Sequence, residues 1–166
     1  GRMAIVATAM IFLVWFDLVP IGKRYLNKDH FITPRDFSAA YEPRPVDQMI
    51  LEDPSLNYRV LDISVNTFND AIPSYHHKTI GGYSPVKMQR YQDLIERYLT
   101  SEIRSVYGVL ENAVTVQDVT DSLPLMKMTS ALNAKYIVLG AEYPPVENRH
   151  ALGNAWFVSS CVPAAT

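Results

Sequence analysis

The clearest pattern of apolar and polar positions lies near the middle of the chain, in Tyr58–Thr67. Val60, Ile63 and Val65 alternate imperfectly with polar residues, and Leu61 falls on the other side of the segment. This β-branched enrichment predicts a strand that is partly covered on both faces. The polar segment that follows, Asn66–Ser74, is typical of a loop because it is rich in Asn, Asp, Pro and Ser.

The strongest predicted helix follows a tight turn at Gly81-Gly82. We expect Ser84-Pro85 to open it, because serine caps free amides and proline fits the first helical position. An apolar stripe at helical spacing supports a helix through Leu99, with an extension to Tyr107 before Gly108 left open. The stripe consists of Met88, Tyr91, Leu94, Ile95, Tyr98 and Leu99.

Shorter elements are predicted towards the C-terminus. Lys135–Leu139 and Ala155–Ser159 each have the composition of a strand, and Pro124–Leu132 that of a short helix. Val109–Asp121 fits either a helix or a strand. Together these elements predict an α/β or α+β fold, with a small mixed sheet packed with helices and preceded by an apolar helix.

That N-terminal apolar run, Met3–Phe16, carries no charge. It would form a helix about 21 Å long, whereas a bilayer core is about 30 Å thick. Its extension to Ile21 includes Asp17 and Pro20. Three interpretations stay open: a truncated transmembrane helix, a buried core helix, and a signal peptide without an A-x-A cleavage pattern. The aromatic and charged residues that follow the run favour the truncated membrane span.

Prolines punctuate the next segment and favour an extended arm, within which Val46–Glu52 could form a short helix. We therefore expect three regions: residues 1–22 as the apolar helix, 23–56 as the Pro-containing arm, and 57–166 as the α/β domain.

Composition excludes some classes of function. A formal net charge of −2 provides no basic surface for nucleic acid. The single cysteine, Cys161, cannot form an internal disulfide, and nothing in its sequence neighbourhood indicates catalysis. No motif has the spacing of catalytic residues or metal ligands, His76-His77 included, and we expect no cofactor.

One loop has the composition of a binding surface. Its residues suit carbohydrate contacts through hydrogen bonds and aromatic stacking, although a structural loop or a docking surface for the membrane part is the more ordinary interpretation. Gly81 and Gly82 form its structural turn. The candidate binding residues are Asn69, Asp70, Tyr75, Lys78 and Tyr83.

Four segments together resemble one protein family. They are DLVPIGKRYLN after the apolar run, YRVLDISVNTFNDAIPSYHHKTIGGYSPVKMQRYQDLIE, LNAKYIVL and ALGNAWFV. In this order they are similar to the C-terminal part of YfhO-type bacterial integral membrane proteins. The matched positions are Asn66, Asn69, Asp70, Tyr75, Lys78, Gly81, Gly82, Tyr83, Arg90, Tyr91 and residues 152–158.

The resemblance implies a polytopic protein of the bacterial cell membrane, related to glycosyltransferases that use lipid-linked sugars. This chain would then be an extracytoplasmic domain, and the catalytic carboxylate would lie elsewhere, in an early outward-facing loop. The expected partners are the membrane and a glycan, and the isolated chain should self-associate through its apolar helix. Two hypotheses stand: a non-catalytic accessory domain of a membrane glycosyltransferase, or a structural or protein-interaction domain without transferase activity.

Overall fold

The computed structural model describes residues 1–39 and 41–160. Cys161, to which the sequence assigns no catalytic role, lies outside these residues. The chain divides into two compact units, Gly1–Glu42 and Pro43–Thr166, so the Pro-containing segment 23–56 contributes to both. Each unit is described by itself.

The first unit is dominated by helix α1, Arg2–Tyr25, none of whose residues is buried. The helix passes through Asp17 and Pro20 and has Lys23 and Arg24 in its last turn. At 1.5 Å per residue its 24 residues span about 36 Å. Among the described residues, one helical stretch, Arg2–His30, is long and apolar enough to cross a membrane, judged by length and composition alone.

Two short elements complete this unit: a 3₁₀ turn at Lys28–His30 and helix α2, Pro34–Ala39. Thr33 caps α2, since its Oγ1 accepts a hydrogen bond from the Asp36 amide at 3.2 Å.

The second unit has an α+β fold built on a three-stranded mixed sheet, as the sequence predicts. Strand β1, Arg59–Asp62, pairs in parallel with β2, Ala134–Val138, and β2 pairs antiparallel with β3, Val146–Glu147. On the other side of β1, the Ile80 amide donates to the Val60 carbonyl at 3.1 Å, in an isolated parallel bridge of Val60 with Thr79. The predicted strand Lys135–Leu139 is confirmed as β2, shifted by one residue.

Both faces of the sheet are buried, which explains the imperfect alternation in β1. On one face Val60 and Val138 pack with Val46 and Ile50 of helix α3, Pro45–Leu51. On the other face Leu61 and Ile137 join a larger cluster that includes the helical residues Val106 and Val119. The short helix predicted at Val46–Glu52 is therefore present, and it forms part of the core.

The strand itself is shorter than Tyr58–Thr67, the predicted length. It ends at Asp62, because the Asp62 carboxylate accepts a hydrogen bond from the Ser64 amide at 2.9 Å. Such an Asx turn offers the backbone an alternative to the ladder. Beyond Asp62 the chain forms the predicted loop, interrupted by a 3₁₀ turn at Ile72–Tyr75.

The long helix comprises α4, Gln89–Leu94, a π-helical segment, Ile95–Leu99, and α5, Thr100–Leu110. Its predicted start at Ser84-Pro85 is wrong. Met88 still has extended backbone angles, φ −62° and ψ 135°. Gly108 does not stop the helix either: it lies inside α5.

The π-helical segment also alters the predicted apolar stripe. An i→i+5 turn advances the helix by one additional residue and rotates the faces that follow. Ile95, Leu99 and Val106 are buried, whereas Met88 and Tyr98 are exposed. The predicted stripe is therefore only partly correct: Met88 precedes the helix, and the π-helical segment departs from regular 3.6-residue spacing.

The ambiguous segment Val109–Asp121 is helical: it contains the end of α5 and most of α6, Val116–Ser122. Helix α7, Lys127–Ala131, falls within the predicted short helix. The predicted strand Ala155–Ser159 is wrong, since this segment is exposed and forms no strand pairing with the residues that the structure describes. The last strand is β3 instead, whose two residues are too few to show any periodicity.

Candidate functional site at the carboxyl end of strand β1

A cleft of about 350 Å³ opens where the chain leaves β1, between the loop after the strand and helix α5. In parallel arrangements of strands, ligands bind beyond the carboxyl ends. We call this cavity the β1 cleft. It is lined by Val65, Asn66, Thr67, Phe68, Thr100, Ile103, Arg104 and Tyr107.

The loop side of the β1 cleft is positioned by Asp62. Ser64 donates to Asp62 Oδ1 from its amide at 2.9 Å and from its hydroxyl at 2.6 Å. Thr67 donates from Oγ1 to the Asp62 carbonyl oxygen at 2.7 Å. The last residue of the strand therefore determines the path of the next five residues.

Asp62 is in turn bound to a buried ionic network. Arg44 donates from Nη2 to Asp62 Oδ2 at 2.7 Å, and from Nε and Nη2 to the two carboxylate oxygens of Asp47 at 2.7 and 2.9 Å. His77 Nε2 lies 3.0 Å from Asp47 Oδ1. Asp47 is fully buried and Asp62 is 1% exposed, so both carboxylates depend on these partners.

The network favours a charged Asp47 and a neutral His77. Burial alone would raise the pKa of Asp47, but the hydrogen bonds and charge of Arg44 lower it below its usual value. Hydrogen bonding to Asp47 raises the pKa of Arg44 further above its normal range. Burial lowers the pKa of His77 and outweighs the hydrogen bond and the charge of Asp47, which raise it. A neutral His77 donates its Nε2–H to Asp47.

The Gly81-Gly82 turn holds the loop from the other side. The Gly82 amide donates to the Thr67 carbonyl at 2.8 Å. A Cβ atom on Gly81 would overlap that same carbonyl, and Gly82 has a φ of +108°, which side chains rarely allow. Lys87 adds a hydrogen bond from Nζ to the Phe68 carbonyl at 3.0 Å.

The helical side of the cleft starts directly after the π-helical segment. Thr100, Ile103, Arg104 and Tyr107 have the i, i+3, i+4, i+7 spacing of one face. π-Helical turns occur frequently at functional sites. The Tyr107 hydroxyl donates to the Ile63 carbonyl at 3.0 Å and so joins the helix to the strand end.

Hydrogen bonds therefore hold the loop wall and the helical wall of the β1 cleft. It offers two aromatic rings, an amide, hydroxyl groups and the guanidinium of Arg104, which has no ion-pair partner among residues 1–39 and 41–160. These groups suit a ligand with an apolar face and several hydrogen-bonding groups. They include no arrangement of nucleophile and base.

The predicted binding residues lie in the segment that continues from this cleft. Asn69, Tyr75, Lys78 and Tyr83 are exposed, and Asp70 is half-buried. Asp70 Oδ1 accepts a hydrogen bond from the Ile72 amide at 2.9 Å, and Lys78 Nζ donates to the Leu56 carbonyl at 2.8 Å. None of the five lines the β1 cleft.

Sequence reasoning missed Thr100, Arg104 and Tyr107, which follow the loop Asn66–Ser74 by more than twenty residues in the chain. The available signal was the helical spacing of these polar and aromatic residues, which indicates a common face. The π-helical segment before them rotates that face relative to the start of the helix. No local pattern indicates the ion pair of Asp62 with Arg44, because Arg44 comes from the Pro-containing arm. In the described part of the chain, no three His, Cys, Asp or Glu side chains are grouped so as to hold a metal ion.

No protein-family model, no curated protein and no solved structure matches this chain.

Proposed function

We propose that this chain is a membrane-attached accessory domain of a polytopic, YfhO-type bacterial membrane protein, on the extracytoplasmic side of the cell membrane. The observation that carries the membrane attachment is the 24-residue helix α1, in which no residue is buried. The family and the relation to glycosyltransferases of lipid-linked sugars rest on the sequence resemblance alone.

The properties of α1 support its role as a membrane anchor. Its length of about 36 Å exceeds the hydrocarbon core of a bilayer, about 30 Å. Ile11, Phe12, Leu13 and Trp15 are each at least 60% exposed. Exposed apolar surface of this extent marks an interaction with membrane or protein. Lys23 and Arg24 in the last turn provide the charged end that spans commonly carry.

The side of the membrane follows from the resemblance and not from charge. Lys23, Arg24 and Lys28 follow the apolar stretch, and by themselves they would favour the cytoplasmic side. That preference has little weight when a large domain follows the span, because long domains translocate largely regardless of their charge.

The accessory role is supported by the chemistry of the β1 cleft. Its aromatic rings, Asn66 and Arg104 can contact a sugar ring by stacking and hydrogen bonding. Tyr83 and the other exposed loop residues would extend the contact area. Transfer chemistry is assigned to a membrane part of the parent protein, which the resemblance places upstream.

A second candidate function is a structural or protein-interaction domain without transferase activity. The burial of Asp47, Asp62 and His77 favours it, because these side chains find their hydrogen-bond partners within the fold. A glycan-binding measurement separates the two candidates. The accessory-domain proposal expects binding that weakens in Arg104→Ala and Tyr83→Ala and persists in Arg97→Ala, an exposed arginine outside the cleft.

The experiment that tests membrane attachment is fractionation of native cells, probed with an antibody against residues 43–160. A band several times larger than 18.7 kDa, released from membranes by detergent only, supports the polytopic parent. A band near 18.7 kDa in the soluble fraction contradicts the proposal. Protease protection in spheroplasts then reports the side of the membrane.

A further inference from the structure

A second cleft, of about 420 Å³, lies beside helix α7 and shares no lining residue with the β1 cleft. We call it the α7 cleft. One wall comes from α7 and the residues before it, and the other from the segment after β3. It is lined by Leu125, Lys127, Ser130, Arg149, His150, Ala151 and Leu152.

The two walls are joined by a buried polar pair, Asn148 and Ser130, each 3% exposed. Asn148 Nδ2 lies 3.2 Å from Ser130 Oγ and 3.0 Å from the Ala134 carbonyl oxygen. Asn148 Oδ1 accepts from the His150 amide at 3.1 Å, and the Leu152 amide donates to the Ser130 carbonyl at 3.1 Å. The segment 149–152 is therefore held in place against α7.

The polar lining of this cleft is basic. Lys127, Arg149 and His150 contribute side chains that carry or can acquire a positive charge, and no acidic residue lines the cleft. Within residues 1–39 and 41–160, none of the three has an ion-pair partner. Three such groups in one concave surface of a protein whose net charge is −2 concentrate positive potential locally.

The carboxylate of Glu102 lies at the start of α7 and is already hydrogen-bonded there. Glu102 accepts hydrogen bonds from the amides of Met128 and Thr129 at 2.8 and 2.9 Å, and from the Thr129 hydroxyl at 2.7 Å. Glu102 thereby caps the start of α7, and the amides of Met128 and Thr129 are not available to a ligand. The charge available to a ligand is that of the three side chains.

We propose that the α7 cleft binds the phosphate group of a small organic phosphate ester, with Lys127, Arg149 and His150 as its contacts. A phosphate monoester offers three oxygens and nearly two negative charges, whereas a carboxylate offers two oxygens and one charge. The phosphate therefore matches three separate donors better. Arginine contributes paired donors of fixed geometry, and lysine contributes a mobile point charge.

The organic part of the ligand has a place in the same cleft. Leu125 and Leu152 are 60% and 44% exposed and lie at the lining together with Ala151. Small-molecule sites combine such apolar surface with a few polar groups that fix orientation, in volumes of about 300–1,000 Å³. The proposal is independent of the membrane role, because it rests on residues of the second unit alone.

The test is titration calorimetry of the full chain in neutral detergent, with phenyl phosphate as the probe and benzoate as its carboxylate counterpart. We expect phenyl phosphate to bind at least about tenfold more tightly than benzoate, since the charge-assisted hydrogen bonds are more numerous. Lys127→Ala and Arg149→Ala should each weaken phenyl phosphate about tenfold. The matched control is Arg97→Ala, which removes an exposed arginine from the helix of residues 89–110.

Several results would overturn the proposal. They are absence of phenyl phosphate binding by the unaltered chain, equal binding of benzoate, or equal weakening by Arg97→Ala. Binding of dihexanoyl phosphatidate without binding of phenyl phosphate would assign the cleft to a lipid headgroup instead. Thermal unfolding provides an independent measurement. Phenyl phosphate should raise the Tm of the unaltered chain and not that of Arg149→Ala. An equal rise in Arg149→Ala would contradict binding at the α7 cleft.

Discussion

Arg44 Nη2 lies 2.7 Å from Asp62 Oδ2. Arg44 is the residue before helix α3 and Asp62 is the last residue of strand β1, so this ion pair joins the two elements. The same guanidinium binds Asp47 inside α3, so one cation compensates two buried carboxylates. Since Asp62 also directs the loop that lines the β1 cleft, the geometry of the candidate site depends on a residue outside it.

Removal of Arg44 should destabilise the fold strongly. Arg44→Ala leaves Asp47 and Asp62 buried without their cation, and loss of one partner of a buried pair costs about 3–5 kcal/mol. We expect a loss near the lower end, since the Arg44 side chain is 18% exposed. Chemical denaturation measures the free energy of unfolding. Arg97→Ala, an exposed control, should change it by less than about 0.5 kcal/mol.

An unfolding free energy for Arg44→Ala that matches the control would show that Asp47 and Asp62 find other compensation. The buried network would then not position the loop.

Stability should rise with pH through the titration of His77. Its pKa in the folded protein lies below the ordinary value of 6.5, so below pH 6.5 the unfolded chain binds more protons. Stability is therefore fully present above this value and is lost as the pH falls towards the depressed pKa. The slope is at most about 1.4 kcal/mol per pH unit for one proton.

Denaturation curves of His77→Gln and His76→Gln between pH 7 and the acid range test the assignment to one histidine. The first variant should lose this pH dependence and the second should keep it, because the buried partner of Asp47 is His77. Equal slopes in the unaltered protein and His77→Gln would contradict the prediction.

The glycine turn should tolerate no side chain at Gly81. A Cβ atom there overlaps the Thr67 carbonyl, and at Gly82 the φ of +108° is strained for alanine. We expect each alanine substitution to cost about 1–3 kcal/mol. Gly108→Ala is the matched control, because Gly108 lies in α5 and a Cβ atom there would meet nothing within 4 Å apart from the neighbouring backbone of the helix. It should stabilise by about 0.5–1 kcal/mol. Thermal unfolding ranks the three variants, and a stable Gly81→Ala would show that the loop can shift.

The apolar helix α1 should make the isolated chain self-associate in plain buffer, since none of its residues is buried and apolar surface of this size rarely stays exposed to water. Light scattering should report oligomers or micelle-like particles. Deletion of residues 1–22 should yield a soluble remainder that unfolds cooperatively. A monomeric full chain, or a remainder without cooperative unfolding, would contradict the prediction and favour α1 as a core helix.

Local sequence was sufficient to predict the elements with a strong periodic or compositional signal. The strand at Lys135–Leu139, the short helix near Val46 and the loop after β1 needed only apolar patterning, proline positions and turn residues. The Gly81-Gly82 turn was predicted for the same reason, because conformational freedom is a property of the residue itself. Signals of this kind act over a few residues and do not require the fold.

Elements whose boundaries depend on distant partners were not predictable. The helix starts at Gln89 and not at Ser84, and residues 82 and 87 make their hydrogen bonds with the loop after β1. The two-residue strand β3 is a strand only through its antiparallel pairing with β2. Trp156 and Phe157 suggested a strand by their composition, yet they lie exposed without a partner strand among the described residues.

The sequence by itself determined the fold class, the apolar N-terminal helix and the polar loop, because each is encoded by neighbouring residues. The tertiary structure decided which residues share a site. It brought Arg44 to Asp62, Arg104 to Asn66, and Arg149 to Lys127 across separations that no local pattern reveals. Contacts of this kind arise from sheet pairing and core packing, whose energies belong to the whole chain.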